Sequence, residues 1–129
     1  MTFLDSSVIV ESLRGDETVT EYLEGKEPLH TSTICVFEIV DGYLGSGRTD
    51  VVSARQDFAG IQALDLSEPI ALEAARLQDE LMNDGERLAT TDLLIAATAR
   101  STGDELVVAD SDFQTEALED VMQVTNLRE

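Results

Sequence analysis

A parallel α/β sheet with helices on both faces is the fold this chain predicts, from three observations. Short apolar runs that read as buried strands alternate with helix-length segments along the whole sequence. Glycines stand where helical segments should stop, at Gly15, Gly25, Gly60 and Gly103. A length of 129 residues with a hydrophobic fraction of 43% fits one domain, residues 1–129, with a core of its own.

The elements follow in order. Residues 2–5 form a short buried strand. Ser6 to Leu13 is a helix, with Ser6 or Ser7 as N-cap and Gly15 as its stop. Asp16 to Glu24 is a second helix, ended by Gly25. Pro28 to Ser32 is the next strand, followed by an apolar helix from Thr33 to Leu44 that the Gly45-Ser46-Gly47 segment breaks. Asp50 to Ala59 is helical and ends at Gly60. Ile61 to Leu66 is strand-like. Glu68 to Leu81 is an amphipathic helix whose face is Ile70, Ala71, Ala74, Leu77, Gln78 and Leu81. Thr90 to Arg100 is helical and stops near Gly103. Leu106 to Ala109 and Val121 to Val124 complete five strand-like segments. In such folds ligands bind beyond the carboxyl ends of the strands. Asp5 and Asp110 both fall at that end, so they share one mouth if their strands are neighbours.

Charge sets this chain apart. It carries 27 Asp and Glu against 8 Lys and Arg, a formal net charge of -19, with Lys26 its only lysine. A field this negative repels nucleic acid and strains a compact fold in dilute buffer. The acids are scattered rather than collected in a tail. That favours adaptation to a salt-rich, halophilic cytoplasm, where screening acts within a few ångströms, over an acidic face made for a basic partner. No stretch approaches the roughly 20 apolar residues of a membrane span. The N-terminus lacks the basic and apolar regions of a secretory signal, so the expected location is cytoplasmic, with no membrane partner. Cys35 is the sole cysteine and His30 the sole histidine, which excludes an internal disulfide and a structural zinc site.

Four acids stand out from this background because they abut apolar elements. Asp5 closes Thr2-Phe3-Leu4. Glu38 lies within Ile34-Cys35-Val36-Phe37-Glu38-Ile39-Val40, a helix apolar enough to be buried on most sides. Asp92 heads a helix whose buried stripe is Ile95, Ala96 and Ala99. Asp110 closes Leu106-Val107-Val108-Ala109. Each has an ordinary explanation. Asp5 would serve as a helix cap or turn residue. Glu38 would reach solvent past Gly42. Asp92 would complement a helix dipole. Capping of a short following helix explains Asp112 or Ser111, yet does not need Asp110 as well. Together the four describe a pocket for a hard cation, Mg²⁺ or Mn²⁺, which takes carboxylate oxygens. With no histidine available as general base, a metal-activated water is the natural nucleophile for phosphodiester hydrolysis. Arg14, Arg48, Arg55 and Arg87 are candidate phosphate contacts, and replacing Asp16 by asparagine should not matter for cleavage.

These residues resemble the motifs of the PIN domain family, and within it the VapC-type toxins of toxin–antitoxin pairs. Phe3-Leu4-Asp5-Ser6-Ser7-Val8-Ile9-Val10 is similar to the family's opening. Thr31-Ser32-Thr33-Ile34 with Phe37-Glu38-Ile39 resembles its second motif. Thr91-Asp92-Leu93-Leu94-Ile95-Ala96-Ala97-Thr98-Ala99 resembles its third, the most specific piece, and Val107-Val108-Ala109-Asp110-Ser111-Asp112-Phe113 its fourth. Order, spacing and length agree over essentially the whole chain. The resemblance implies a PIN-like three-layer sandwich around a five-stranded parallel sheet. It also implies a Mg²⁺- or Mn²⁺-dependent endoribonuclease acting on RNA, homodimers, and a small antitoxin that blocks the site. It makes Asp5, Glu38, Asp92 and Asp110 the acidic pocket, with Asp5 and Asp92 the direct metal ligands and Asp112 an auxiliary acid. Ser7 stands where the family often has asparagine, and Val108 where it often has threonine.

Other readings keep part of this picture. A PIN nuclease of RNA processing would lack an antitoxin. A metal- or partner-binding module would keep the fold with weak catalysis. A receiver domain would need paired acids after the first strand and a lysine late in the chain. A haloacid-dehalogenase-like phosphatase would need an acid at position 7, where Ser7 stands.

Overall fold

The computed structural model describes every residue except Ser46, Arg48 and Glu129. Among the described residues five strands form one sheet: β1 (Thr2–Leu4), β2 (Leu29–Ser32), β3 (Gln62–Leu64), β4 (Glu105–Val108) and β5 (Val124–Asn126). Their order is β3-β2-β1-β4-β5, and every pairing is parallel. The chain therefore winds outward from β1 to one edge, then returns to the other side of β1. That reversal puts the carboxyl ends of β1 and β4 side by side, the place where such sheets open a crevice. Phe3 pairs with Leu106 and Leu4 with Val107, and Asp5 N continues the ladder to the Val107 carbonyl at 3.0 Å. Asp5 and Asp110 thus leave the sheet from adjacent strands.

Alternation along the strands divides the core in two. Phe3, Leu106 and Val108 point to one face, beneath α5 (Glu68–Asn83) and α6 (Thr90–Thr102). Leu4 and Val107 point to the other, beneath α1 (Ser6–Leu13), α2 (Glu17–Leu23), α3 (Thr33–Asp41) and α4 (Val51–Gln56). The buried stripe of α6 is mostly alanine (Ala96, Ala97, Ala99), so the helix lies close on its neighbours. On α5 the expected apolar face is buried at Ala74, Leu77 and Leu81, while Ala71 is exposed. Gln78 joins that face through a pair of hydrogen bonds with the backbone of Leu88, closing the turn before α6. No helix among the described residues is long and apolar enough to cross a membrane.

Several boundaries differ from expectation for local reasons. The N-cap of α1 is Asp5, not Ser6 or Ser7. Helix α3 ends at Asp41 because Gly42 begins a turn, in which Gly45 takes a φ of 96°. Strand β5 begins at Val124, since Val121 and Met122 donate their amides to the Leu118 carbonyl and close the turn after α7 (Thr115–Leu118). Neither Ser111 nor Asp112 caps α7, whose N-cap is Gln114 without a side-chain bond.

The amino end of the sheet carries two acids with partners. Asp104 is buried, and its Oδ2 meets His30 Nδ1 at 2.8 Å. Glu105 Oε2 accepts from Tyr22 Oη at 2.6 Å and Thr125 Oγ1 at 2.7 Å, and its Oε1 lies 3.6 Å from Lys26 Nζ. Burial pushes the Glu105 carboxyl upward, but the hydrogen bonds from Tyr22 and Thr125 and the Lys26 charge outweigh it and hold the group below its ordinary value.

Candidate active site

A cleft of about 260 Å³ opens beyond the carboxyl ends of β1 and β4. Asp5, Glu38, Asp92 and Asp110 all line it, together with Ser7 and Glu11. Among the described residues, no lysine or arginine does. The four acids come from four elements: the end of β1, the middle of α3, the first turn of α6 and the loop after β4.

Asp5 is the buried centre of this group, 6% exposed. Its Oδ2 accepts from Ser7 N at 3.2 Å and Ser7 Oγ at 2.5 Å, so it caps α1 as well as facing the cleft. Ser7 Oγ in turn accepts from Ala109 N at 3.0 Å. One hydroxyl thereby ties the end of β1 to the end of β4 and orients the carboxylate between them. Burial raises the Asp5 pKa above its ordinary value, the Ser7 hydrogen bonds offset part of this, and the Asp110 charge adds to it.

Glu38 is exposed rather than buried, in contrast to the expectation from its apolar neighbours. The reason is that α3 packs through Cys35, Ile39 and Val40 and leaves Phe37 and Glu38 outward. Its Oε1 accepts from Ser6 Oγ at 3.3 Å. Partial desolvation raises its pKa first, followed by the negative charge of Asp5. Asp92 is half-buried and accepts no hydrogen bond from the described residues. An acid placed only to complement a helix N-terminus is stabilised as an anion. The Asp92 pKa is instead raised, by desolvation and then by the charges of Asp5 and Asp110. Asp110 is exposed, and its Oδ1 accepts from Asp112 N at 2.9 Å, forming the turn that leads to α7.

Asp112 itself is exposed and is not among the residues lining the cleft. Val108 is fully buried in the core under α5 and α6. Arg14 is not among the residues lining the cleft; it borders an adjoining pocket that Glu38 also lines and is bonded to Glu11 at 3.3 Å. Arg55 is committed elsewhere, donating to the carbonyls of Phe58 and Ile61 at 2.8 Å each. Arg87 leans on the Met82 sulfur at 3.2 Å. Arg48 lies outside the described residues. Asp16 is not among the residues lining the cleft; it caps α2 through Val19 N and pairs with Arg128.

Three residues at the cleft escaped sequence reasoning. Glu11 lines it from α1. Arg128 reaches Glu11 from the far end of the chain at 3.3 Å. Cys35 lies one turn before Glu38 on α3, and its sulfur and the carboxylate oxygens of Asp5 and Glu38 lie within 4.8 Å of one another. The signal for Cys35 was its spacing of three from Glu38 on one helix. Burial, then the Asp5 charge, pushes its thiol up to about 12, so the sulfur stays protonated near neutral pH. The oxygen atoms of Asp5 and Glu38, mutually repelled and with no lysine or arginine among the described residues of the cleft lining, fit a hard divalent ion, and the thiol forms an apolar wall beside them.

The sequence model of the PIN domain family matches residues 2–117. Ribonuclease VapC5 of Mycobacterium tuberculosis is 27% identical over 114 residues, covering 85% of this chain and 83% of the relative. Among solved structures, FitAcB from Neisseria gonorrhoeae superposes with a TM-score of 0.77 at 29% identity, over 98% of this chain and 97% of that one. VapBC-5 of the VapBC family of toxin–antitoxin systems, also from Mycobacterium tuberculosis, does so with a TM-score of 0.72 at 28% identity, over 99% and 98%. Family match, parallel sheet order and similar structures agree: the chain belongs to the PIN domain family.

Proposed function

We propose that this protein is a metal-dependent endoribonuclease, the toxin of a VapBC-type pair, with Asp5, Glu38, Asp92 and Asp110 as its catalytic acids. The observation that carries this reading is electrostatic. Asp5, Glu38, Asp92 and Asp110 line one cleft in which, among the described residues, no lysine or arginine stands, and the three whose pKa moves are all raised. Carboxylates so arranged are costly without a counter-charge. The similarity to a ribonuclease and to toxin–antitoxin structures supports the same reading.

Asp5 and Asp92 would hold Mg²⁺ or Mn²⁺, with Glu38 and Asp110 completing the oxygen donors. Such an ion, when bound, supplies positive charge at the scissile phosphate and makes water a nucleophile at neutral pH. The chain's own part is to fix geometry. Ser7 holds one oxygen of Asp5 and Ser6 one oxygen of Glu38, which limits their rotation.

An antitoxin partner is supported by a second observation. An apolar groove between α3 and α4 is lined by Val36, Phe37, Val40, Val51 and Val52, with Phe37 65% exposed. A homodimer and a salt-rich cytoplasm belong to the same proposal; the charge of -19 is the ground for the latter.

The test is cleavage of structured RNA with Mn²⁺ or Mg²⁺ in molar KCl, where the acidic coat is screened. Cleavage should depend on the metal and vanish with chelator. Growth arrest on expression, relieved by a small gene encoded beside it, should accompany it. Inertness across tRNA and rRNA fragments with both metals would refute the ribonuclease, and arrest without relief would remove the antitoxin.

A further inference from the structure

Two arginines converge on the wall of the acidic cleft, and the chemistry above uses neither. Glu11 lines the cleft and holds one guanidinium on each carboxylate oxygen. Its Oε1 takes Arg14 Nη1 and its Oε2 takes Arg128 Nη2, each at 3.3 Å. Arg128 Nη2 also meets Asp16 Oδ2 at 2.5 Å. The backbone explains how a residue so late in the chain arrives there. Leu127 N donates to the Val108 carbonyl at 2.8 Å, Asn126 Nδ2 to the Asp110 carbonyl at 2.8 Å, and Arg128 N to Asn126 Oδ1 at 3.0 Å. Arg128 is thus moored to the same turn that presents Asp110.

The other described cations are occupied away from the cleft. Lys26 serves Glu105 at the amino end, Arg76 and Arg100 serve Glu73 and Glu80, Arg55 donates to backbone carbonyls, and Arg87 contacts Met82. Arg14 and Arg128 also have donors to spare. Arg14 uses only Nη1 and its side chain is 70% exposed; Arg128 makes both its side-chain contacts through Nη2. A planar guanidinium with unused N–H groups takes phosphate oxygens well. A strand entering a cleft of carboxylates meets repulsion along its length. A cation held among the acids would neutralise the scissile phosphate, and the phosphates beside it need charge from the protein.

We infer that Arg14 and Arg128, gathered on the two oxygens of Glu11, are positioning residues that hold the RNA phosphates flanking the cut. This rests on the ribonuclease reading of the site. Glu11 is their organiser: it sets the spacing of the two guanidinium groups and releases part of its hold as phosphate arrives.

The experiment is binding of a short single-stranded RNA across a KCl series with Ca²⁺ in place of Mg²⁺, paired with cleavage kinetics in Mn²⁺. Arg14→Gln and Arg128→Gln should each reduce the slope of log affinity against log salt by about 0.7, and the double variant by about twice that. KM should rise roughly tenfold in each single variant with kcat little changed. Arg128→Lys should keep the slope, and Arg76→Gln should match the wild type throughout. Unchanged slope and KM in both glutamine variants, while the wild type still cuts RNA, would overturn the inference and leave the ribonuclease standing. A lower melting temperature with unchanged slope would make Arg128 a structural tether only. A wild type that neither binds nor cuts RNA would end both readings.

Discussion

The two ends of the sheet treat their acids in opposite ways. At the amino end, Asp104 is paired with His30, and Glu105 collects Tyr22, Thr125 and Lys26. Its pKa is held below the ordinary value. At the carboxyl end, Asp5, Glu38 and Asp92 face one another and Asp110, and their pKa values are all raised. Both ends set carboxylates against apolar strands. Among the described residues, Glu105 gains a lysine and Asp104 a histidine contact, though Asp104 Oδ1 stays buried without a hydrogen bond, while no lysine or arginine lines the carboxyl-end cleft. Acidity therefore does not mark a site in this chain, where acids are everywhere; acidity left without a protein counter-charge does.

The largest expected effect comes from the carboxyl end. Asp5→Asn should lower metal-dependent cleavage by at least roughly a thousandfold, equivalent to about 4 kcal/mol of barrier, with the fold intact by circular dichroism. Asp92→Asn should behave alike. At the amino end the consequences should reverse. Asp104→Ala removes the buried hydrogen bond to His30 and should cost about 1–2 kcal/mol of stability in denaturant titrations, while metal affinity stays near the wild-type value. A loss of metal binding there would blur the contrast between the ends.

Smaller changes sharpen it. Ser7→Ala frees Asp5 from its hydroxyl clamp and should cut cleavage about 10- to 100-fold, with a smaller effect on melting. The pH dependence should also separate the ends. Asp5, Glu38 and Asp92 bind protons more tightly folded than unfolded. Without divalent metal, their contribution is most favourable below the unfolded values of 3.8 and 4.5 and is lost as pH rises through the raised folded values. Glu105 contributes in the other direction: its stabilisation is present above 4.5 and is lost as pH falls through its lowered value. Melting curves in molar KCl should therefore show the Glu105→Gln variant losing part of the acid-side decline. Asp5→Asn should lose part of the decline toward neutral pH.

The sheet and its helices were legible because strand alternation and glycine stops are local signals. Asp5 and Asp110 were legible because a parallel sheet presents its carboxyl ends, and Asp92 because it heads a buried stripe. The amino-end pairs were not. Asp104 and Glu105 look like two more acids in an acidic chain, and their partners lie 74 and 83 residues away for His30 and Tyr22. Arg128 was hidden for the same reason, 117 residues from Glu11. The burial of Glu38 was overestimated because apolar neighbours were read as a buried helix. Phe37 and Val36 instead belong to an open groove. The start of β5 was misplaced because Val121 and Met122 pack on the core from a turn, and apolar content alone does not distinguish that from a strand.

The most direct test of the uncompensated cluster is the melting temperature of wild type and Asp5→Asn, each with and without saturating Mn²⁺ in molar KCl. Ligand at about 100 times its dissociation constant stabilises by about 2.7 kcal/mol, a shift on the order of 10 °C for a domain of this size. The wild type should gain that shift, and Asp5→Asn should gain almost none. Equal shifts in the two proteins, or no shift in the wild type, would contradict a metal site at the carboxyl end of the sheet.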